Sequence, residues 1–252
     1  MTTEELIKHQ QQITDKIYQI ASSLIKVQGL AGIDAVPDGV PDCAAYLSSL
    51  PKVAWILKEV REQDEDGNPS GGGWTKPEEI LRTLANRERW TVPTDRRIIY
   101  TMYGMRHHCH WKEMPNLSND PLMGEVLKDV LWINLSKMPG RNSSGDMKYA
   151  KSYKETWSII VKEQVRVYAP DVMIFGNCLD VCWSDFMTKD EWKNPIPIYD
   201  ANGRHYLSIY CCSRQLILHA FHPSYPGMSE EFYVDSIIDA VDMYYPHVLM
   251  SK

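Results

Sequence analysis

The sequence lacks the long apolar run of a membrane-spanning helix and the layout of a secretion signal. A spanning helix needs about 20 consecutive apolar residues, and no segment of the 252-residue chain approaches that length. The first residues, Met-Thr-Thr-Glu-Glu, do not show the basic and then apolar order of a signal peptide. We therefore expect a cytoplasmic protein with no membrane partner.

Closely spaced cysteine pairs of the Cys-x-x-Cys type are also missing. The six cysteines are Cys43, Cys109, Cys178, Cys182, Cys211 and Cys212. Thiols inside cells stay reduced, so this pattern favours buried, reduced cysteines. No compact set of four cysteines exists that would hold an iron–sulfur cluster. We expect no cofactor and no metal.

Positive charge is scarce, with 27 Lys and Arg against 33 Asp and Glu and a net charge of −6. This balance argues mildly against a nucleic-acid partner. The distribution is uneven, however, because residues 137–154 carry five basic side chains and one acidic one, Asp146. The basic residues are Lys137, Arg141, Lys148, Lys151 and Lys154. Both an ordinary solvated surface and a phosphate-binding track fit this segment.

The length and the hydrophobic content of 44% predict one substantial core. We expect a single domain over residues 1–252, with a helix over residues 3–27 packed on the core. In that helix Ile13, Ile17 and Leu24 recur at helical spacing, and Thr2 with Glu5 is typical of a capping box.

Short apolar runs alternate with helical patterns along the rest of the chain. Buried strands are predicted over residues 53–57, 130–135, 172–175 and 216–221, and helices over 77–88, over 149–168 and after Ser229. The segments 196–199 and 206–210 flank Asn202-Gly203, a strong hairpin signal. This order predicts an α/β fold, a three-layer α/β/α sandwich with a central, mainly parallel four-stranded sheet and a peripheral β-hairpin.

Polar residues stand where these strands end. They are Lys58-Glu59, Asn134, Gly176-Asn177 and His222-Pro223-Ser224. Ligands of parallel sheets bind at the carboxyl ends of the strands, so the ordered set predicts a site at that edge.

The same ordered set resembles the uracil-DNA glycosylase superfamily over about residues 50 to 245. The matching segments are Trp55-Ile-Leu-Lys-Glu59, Trp132-Ile-Asn134, Val172-Met-Ile-Phe-Gly-Asn177 and Ala220-Phe-His-Pro-Ser224. His-Pro-Ser with its preceding strand is the most specific of these segments. The resemblance implies a monofunctional enzyme that flips a base out of DNA and hydrolyses its N-glycosidic bond.

The resemblance also implies roles for single residues. Glu59 positions water or stabilises the sugar cation, His222 donates a hydrogen bond to the leaving base, and Asn134 reads the base edge. The residues that would contact the DNA backbone are Ser136, Lys137, Arg141, Asn177 and Ser224. Tyr225 or Met228, in the segment after His222, supplies the wedge that fills the place of the flipped base.

The first motif departs from the family, which usually has glycine before the acidic or amide residue and proline after it. Here Lys58 precedes Glu59, and Val60-Arg61 follow. Long donors suit a larger base that bears extra acceptors, so Lys58, Arg61 and the loop residue Trp74 are predicted to bind substrate. Phage-defence glycosylases that remove glucosylated hydroxymethylcytosine are the branch most similar in role, and a repair enzyme acting on uracil is the alternative.

Plainer interpretations stand beside these. Glu59 fits an ordinary surface acid, Asn134 a capping amide and His222 a core histidine held by backbone bonds. Trp74 fits an anchor of its own loop.

Two further function classes stay open. One is a non-catalytic DNA-binding protein on the same fold, and the other is a metal-dependent hydrolase built on His107, His108 and His110. No obligate protein partner is expected.

Overall fold

Six short strands form one mixed sheet in the computed structural model, which describes residues 1–28, 32–140, 148–200, 202–213 and 215–250. The strands are β1 (Val53–Leu57), β2 (Val130–Asn134), β3 (Val172–Gly176), β4 (Ile196–Tyr199), β5 (His205–Cys211) and β6 (Leu216–Ala220). Their order across the sheet is β2-β1-β3-β6-β5-β4. Each residue of β1, β2 and β3 is buried, as their continuous apolar sequences predict.

The pairing of the strands refines the predicted architecture. β1 pairs in parallel with β2 and β3, and β3 pairs in parallel with β6. β5 is antiparallel to both β6 and β4. The α/β class is confirmed, but the sheet has six strands and not four. The predicted hairpin is confirmed as β4 and β5, and it joins the edge of the sheet, where residues Tyr206–Tyr210 of β5 are buried and pair with β6.

Helices connect the strands. They are α1 (Thr3–Gln28), α2 (Cys43–Ser48), α3 (Lys76–Ala85), α4 (Pro93–His107), α5 (Lys148–Ser152), α6 (Ser158–Tyr168), α7 (Leu179–Cys182), α8 (Lys189–Lys193) and α9 (Glu230–Met250). A π-helical turn, Tyr153–Trp157, joins α5 to α6, and short 3-10 segments lie at Trp111–Glu113, Pro121–Asp129 and Trp183–Asp185. The predicted N-terminal helix is confirmed, while α2, α4, α7 and α8 have no counterpart in the sequence-based prediction.

The helices cover both faces of the sheet, because successive residues of a strand point to opposite sides. Val53, Trp55 and Leu57 pack in one core together with residues of α4 and α9. Ala54 and Ile56 pack in a second core together with residues of α1 and α6. The sheet is therefore flanked by helices on each side.

The carboxyl ends of β1, β2, β3 and β6 lie at one edge of the sheet. Gly176 lets these ends pack closely, since a Cβ there would lie 2.7 Å from Leu57 Cδ2 and 3.1 Å from Pro223 Cδ. The residues that follow β1 and β6 thus meet above β3.

The state of the cysteines and the character of the helices bear on the predictions made from composition. All six cysteines are free, and Cys43, Cys178, Cys182 and Cys212 are buried, which agrees with reduced thiols. Within the described ranges, no helix combines the length and the apolar character needed to cross a membrane.

Candidate active site

A cleft of about 450 Å³ opens at the carboxyl edge of the sheet. Its lining includes Glu59, Asn134 and His222, which stand far apart in the sequence. The structure therefore brings the three predicted central residues to one cavity. Lining side chains also include Leu57, Arg61, Glu62, Trp74, Lys76, Glu79, Asp95, Trp132 and Ser224.

Glu59 is held by a backbone extension of the sheet. Beyond β1 the chain runs alongside residues 135–140, with Leu135 N–H donating to Leu57 O at 2.9 Å and Gly140 N–H donating to Val60 O at 2.8 Å. The Glu59 side chain lies directly against Gly140, in space that a Cβ at residue 140 would fill. This packing directs the carboxylate into the cleft.

Asn134 is the last residue of β2 and pairs with Leu57 of β1. It is buried, and its backbone N–H donates to the Asp38 carboxylate. Among the residues that the structure describes, none forms a hydrogen bond with the Asn134 side-chain amide. Both its donor and its acceptor are therefore available to a ligand in the cleft.

A buried charge cluster fixes the segment after Asn134. Lys137 Nζ lies 2.7 and 2.8 Å from the two Asp38 carboxylate oxygens and 2.9 Å from Gln164 Oε1. Lys137 is 1% exposed, so it cannot contact a DNA phosphate, and that prediction is wrong. Ser136 is also buried, and its hydroxyl lies 3.1 Å from Ser152 Oγ, which does not fit its predicted contact with DNA.

The geometry around His222 defines its tautomer. The Ser224 backbone N–H lies 3.2 Å from His222 Nδ1, and Ser224 Oγ lies 2.8 Å from the same nitrogen. A backbone N–H can only donate, so Nδ1 is the acceptor and the neutral ring carries its proton on Nε2. Burial, helped by the positive charges of Lys58 and Arg61, lowers the pKa of His222 to about 4. The ring is neutral at physiological pH and has an Nε2–H to donate.

Two of the three predicted substrate-binding residues line the cleft, and the third does not. Arg61 is exposed and Trp74 is half-buried, and both line the cleft. Trp74 Nε1 donates to the Glu62 carboxylate at 3.2 Å, so this side chain also anchors its glycine-rich loop. Lys58 points to the other face of the sheet from Leu57 and Glu59, and its ammonium lies 5.2 Å from the centroid of the Tyr149 ring. Lys58 is not part of the described cleft lining.

A charged cluster in the cleft wall was missed by the sequence analysis. Lys76 Nζ lies 2.7 Å from Glu79 Oε2, 3.2 Å from Asp95 Oδ1 and 4.7 Å from the centroid of the Trp132 ring. Burial raises the pKa of Asp95, since Lys76 offsets only part of the desolvation. Burial alone would lower the pKa of Lys76, but the two carboxylates outweigh it and raise that pKa. One ammonium and two carboxylates thus face the ligand space.

Arg97 of α4 holds the loop after His222 through two hydrogen bonds. Arg97 Nη1 donates to Tyr225 O and Arg97 Nη2 donates to Met228 O, both at 2.7 Å. Met228 is 9% exposed and packs in the core, so the prediction of Met228 as a wedge is wrong. Tyr225 is half-buried and stacks on Phe221 with 4.6 Å between ring centroids.

The remaining predicted DNA partners lie at the same edge of the sheet or outside the described residues. Asn177 follows β3 with a left-handed φ of 58°, is exposed, and its backbone N–H donates to Ala220 O at 2.8 Å. Ser224 lines the cleft. Arg141 lies outside the described residues.

The histidine cluster does not form a ligand set. His107 stacks on Tyr103 with 4.1 Å between centroids, and His110 Nε2 lies 2.8 Å from Asp239 Oδ1. In the described part of the chain, no three His, Cys, Asp or Glu side chains converge in a way that would hold a metal ion.

No protein-family model and no curated protein matches this chain.

Proposed function

We propose that this chain is a DNA glycosylase that hydrolyses the N-glycosidic bond of a flipped, bulky modified pyrimidine. The observation that carries the proposal is the shared cleft, in which a carboxylate, an unengaged amide and a neutral imidazole with an Nε2–H meet. Each of these groups answers one demand of glycosidic bond hydrolysis.

The reaction separates charge between sugar and base. The C1′–N bond breaks, its electron pair moves to the base nitrogen, and positive charge develops on the sugar. The Glu59 carboxylate stabilises that charge and accepts one proton of the water that adds to C1′. The departing base takes up one proton from solvent and Glu59 returns to solvent the proton that it took from water, so the net reaction adds one water across the C1′–N bond.

His222 acts on the leaving base. A donor aimed at developing negative charge lowers the barrier most when it needs no reorganisation. Ser224 fixes the imidazole through Nδ1, so the Nε2–H is the hydrogen-bond donor toward the base. Because the pKa of His222 is about 4, this neutral donor persists across the physiological range.

Asn134 reads the base. Its amide offers one acceptor and two donors, which suits the alternating edge of a pyrimidine. The Asp38 contact to the Asn134 backbone holds the amide at a fixed place in the cleft. A buried amide without protein partners is costly, so a ligand that satisfies it gains affinity.

Other side chains of the cleft lining favour a bulky base. Glu79 and Asp95 accept hydrogen bonds, and Lys76 and Arg61 donate them. Together with the Trp74 and Trp132 rings, these groups suit a hydroxyl-rich substituent better than a bare uracil. Glucosylated hydroxymethylcytosine in phage DNA is a base of this type, and its removal leaves an abasic site.

Mass spectrometry of bases released from a panel of DNAs tests the proposal. The panel contains cytosine, uracil, hydroxymethylcytosine and glucosylated hydroxymethylcytosine. We expect release of the glucosylated base, in the presence of EDTA as well, with uracil left largely in place. Release of uracil alone would assign the chain to uracil repair, and DNA binding without any base release would leave a non-catalytic binding protein.

The Glu59→Gln variant tests the assignment of the carboxylate. We expect base release to slow by about 10²–10⁴-fold, the usual contribution of a positioned acid–base group. Glu4→Gln, an exposed change on α1, is the matched control and should release bases at the wild-type rate. Equal rates in the two variants would remove Glu59 from the mechanism.

A further inference from the structure

A second pocket, of about 320 Å³, lies beside the cleft and has basic walls. Arg89, Thr91, Arg96 and Ser118 supply two guanidinium groups and two hydroxyls, and Trp90 and Leu117 supply the apolar part of the lining. Side chains of this kind bind phosphate oxygens. The second pocket thus differs in chemistry from the cleft, whose wall is largely acidic.

The two cavities share one stretch of chain. Residues 89–91 and Arg96 line the second pocket, whereas residues 92–95 line the cleft. Arg97, the next residue, holds the loop that follows His222. The beginning of α4 is therefore the junction of the cleft, the basic pocket and the loop that carries Tyr225.

The pocket is built on a fixed base. Trp90 is buried, its Nε1 donates to Pro121 O at 3.1 Å, and it packs against Gly124, where any Cβ would overlap its indole ring. Leu117 N–H donates to the Tyr100 hydroxyl at 2.8 Å. Arg89 and Thr91 are the exposed chain neighbours of this buried tryptophan, so their backbone is anchored at the pocket.

The basic groups of the pocket have capacity for a ligand. Arg89 is exposed, and no hydrogen bond or ion pair joins it to any residue in the described ranges. Arg96 is only loosely paired, with Nη2 at 3.7 Å from Glu230 Oε2. The Arg89 guanidinium, which has no carboxylate partner among the described residues, is therefore a ready partner for phosphate.

The charge of the molecule makes such a pocket necessary for DNA binding. The net charge is −6, and the acids Glu59, Glu62, Glu79 and Asp95 line the cleft. A polyanion is repelled by these groups and must be held by basic side chains near the cleft. Since Lys137 is buried, the predicted phosphate track cannot supply all of this attraction.

We propose that the pocket of Arg89, Thr91, Arg96 and Ser118 holds a backbone phosphate of the DNA strand whose nucleotide enters the cleft. The proposal rests on the proposed function, because it takes DNA as the ligand. It names a phosphate contact on the α4 side of the cleft, away from the residues of the predicted track.

The salt dependence of DNA binding tests this assignment. Fluorescence anisotropy of a labelled unmodified oligonucleotide, measured over a series of salt concentrations, gives the slope of log K against log salt for the full chain. Each lost phosphate contact should reduce the slope by about 0.9 on duplex DNA and about 0.7 on single strands. We expect Arg89→Gln with Arg96→Gln to show this reduction, because both arginines hold the same phosphate, and Arg89→Gln alone to show part of it.

Arg166→Gln is the matched control, because Arg166 is an exposed arginine of α6, on the opposite face of the sheet. A slope for Arg89→Gln equal to that of Arg166→Gln would overturn the proposal. Calorimetric titration with inorganic phosphate is the second measurement. Phosphate binding that depends on Arg89, with an unchanged DNA slope, would assign the pocket to a small anion and also overturn the DNA assignment.

Base release, measured on the same wild-type preparation, separates this proposal from the proposed function. A slope that depends on Arg89 without any base release supports the phosphate pocket and contradicts the glycosylase. Base release with unchanged slopes supports the glycosylase and contradicts the pocket. A wild-type chain that binds no DNA would contradict both.

Discussion

Two buried lysine–aspartate pairs lie on opposite sides of the strand that carries Asn134, and they differ in what surrounds them. Lys137 and Asp38 are fully enclosed, and burial lowers the pKa of Lys137 because Asp38 offsets only part of the desolvation. Lys76 and Asp95 border the cleft, with a second carboxylate, Glu79, beside them. The enclosed pair has no ligand to meet and holds the backbone, whereas the cleft pair keeps hydrogen-bonding capacity for a ligand.

The largest effect should come from breaking the enclosed pair. Lys137→Met leaves the Asp38 carboxylate buried without its cation, which typically costs about 3–5 kcal/mol. Urea unfolding at neutral pH measures the loss. Lys137→Met combined with Asp38→Asn removes both charges and should recover part of the stability. A loss below about 1 kcal/mol for Lys137→Met alone would mean that water reaches the carboxylate.

Acid should lower the free energy of unfolding because His222, which lines the cleft, is buried in its neutral form. The pKa of His222 is about 4 in the fold against 6.5 in the unfolded chain, so the unfolded state binds more protons between these values. The stabilisation is complete above about pH 6.5 and falls as the pH drops toward 4, by about 3 kcal/mol in all.

Urea unfolding over this pH range checks the sign, with His222→Gln as the reference. His219, whose pKa burial also lowers to about 4, should keep its own share in that variant. The difference between the wild type and His222→Gln isolates His222. Curves that run parallel would show that the ring is solvated.

A smaller effect is expected from breaking the pair in the cleft wall. Lys76→Met should cost about 1–3 kcal/mol, the range for hydrogen bonds to a charged group, because the Asp95 carboxyl borders the cleft and its pKa is already raised. The same change should slow release of the bulky base more than release of uracil, if uracil is released at all. Lys189→Met, an exposed change on α8, should stay within about 0.5 kcal/mol of the wild type. A cost equal to that of Lys137→Met would erase the contrast between the pairs.

The smallest effect on stability should follow Ser224→Ala, which leaves every charge in place. The loss of the hydroxyl removes one contact to His222 Nδ1 and costs about 0.5–1.5 kcal/mol, while the backbone N–H of residue 224 still defines the tautomer. Base release should be slower in Ser224→Ala, because the His222 ring loses one of its two contacts at Nδ1. Ser229→Ala removes the cap at Phe232 N–H and costs a similar amount, yet it should leave base release unchanged. Equal rates in both variants would mean that Ser224 only stabilises the fold.

The strands and the first helix could be predicted from the sequence because their patterns are local. Continuous apolar runs identified β1, β2 and β3, and the spacing of isoleucines identified α1. α4 was missed because it buries the polar residues Asp95, Arg97 and Thr101 among its apolar ones, which hides the helical period. Pro93 at its first turn was the available signal for its start.

The cleft could be predicted in part. Parallel strands end at one edge, so Glu59, Asn134 and His222 could be placed together from strand order alone. The error at Lys137 has a different origin. Asp38, the partner of Lys137, stands 99 residues away, and no local pattern shows that the two side chains meet in the interior. Asp95 stands 19 residues from Lys76, on a different helix, so a local pattern does not show that contact either.

The absence of a side chain at residue 140 determines where the Glu59 carboxylate, the catalytic group of the proposal, can lie. Residue 140 is glycine, and the first carbon of any other side chain would occupy the volume now taken by the end of the Glu59 side chain. Glutamate is flexible, so we expect Gly140→Ala to displace the Glu59 carboxylate from its present position. The orientation of Glu59 thus depends on the missing side chain of Gly140, which stands some eighty positions further along the chain.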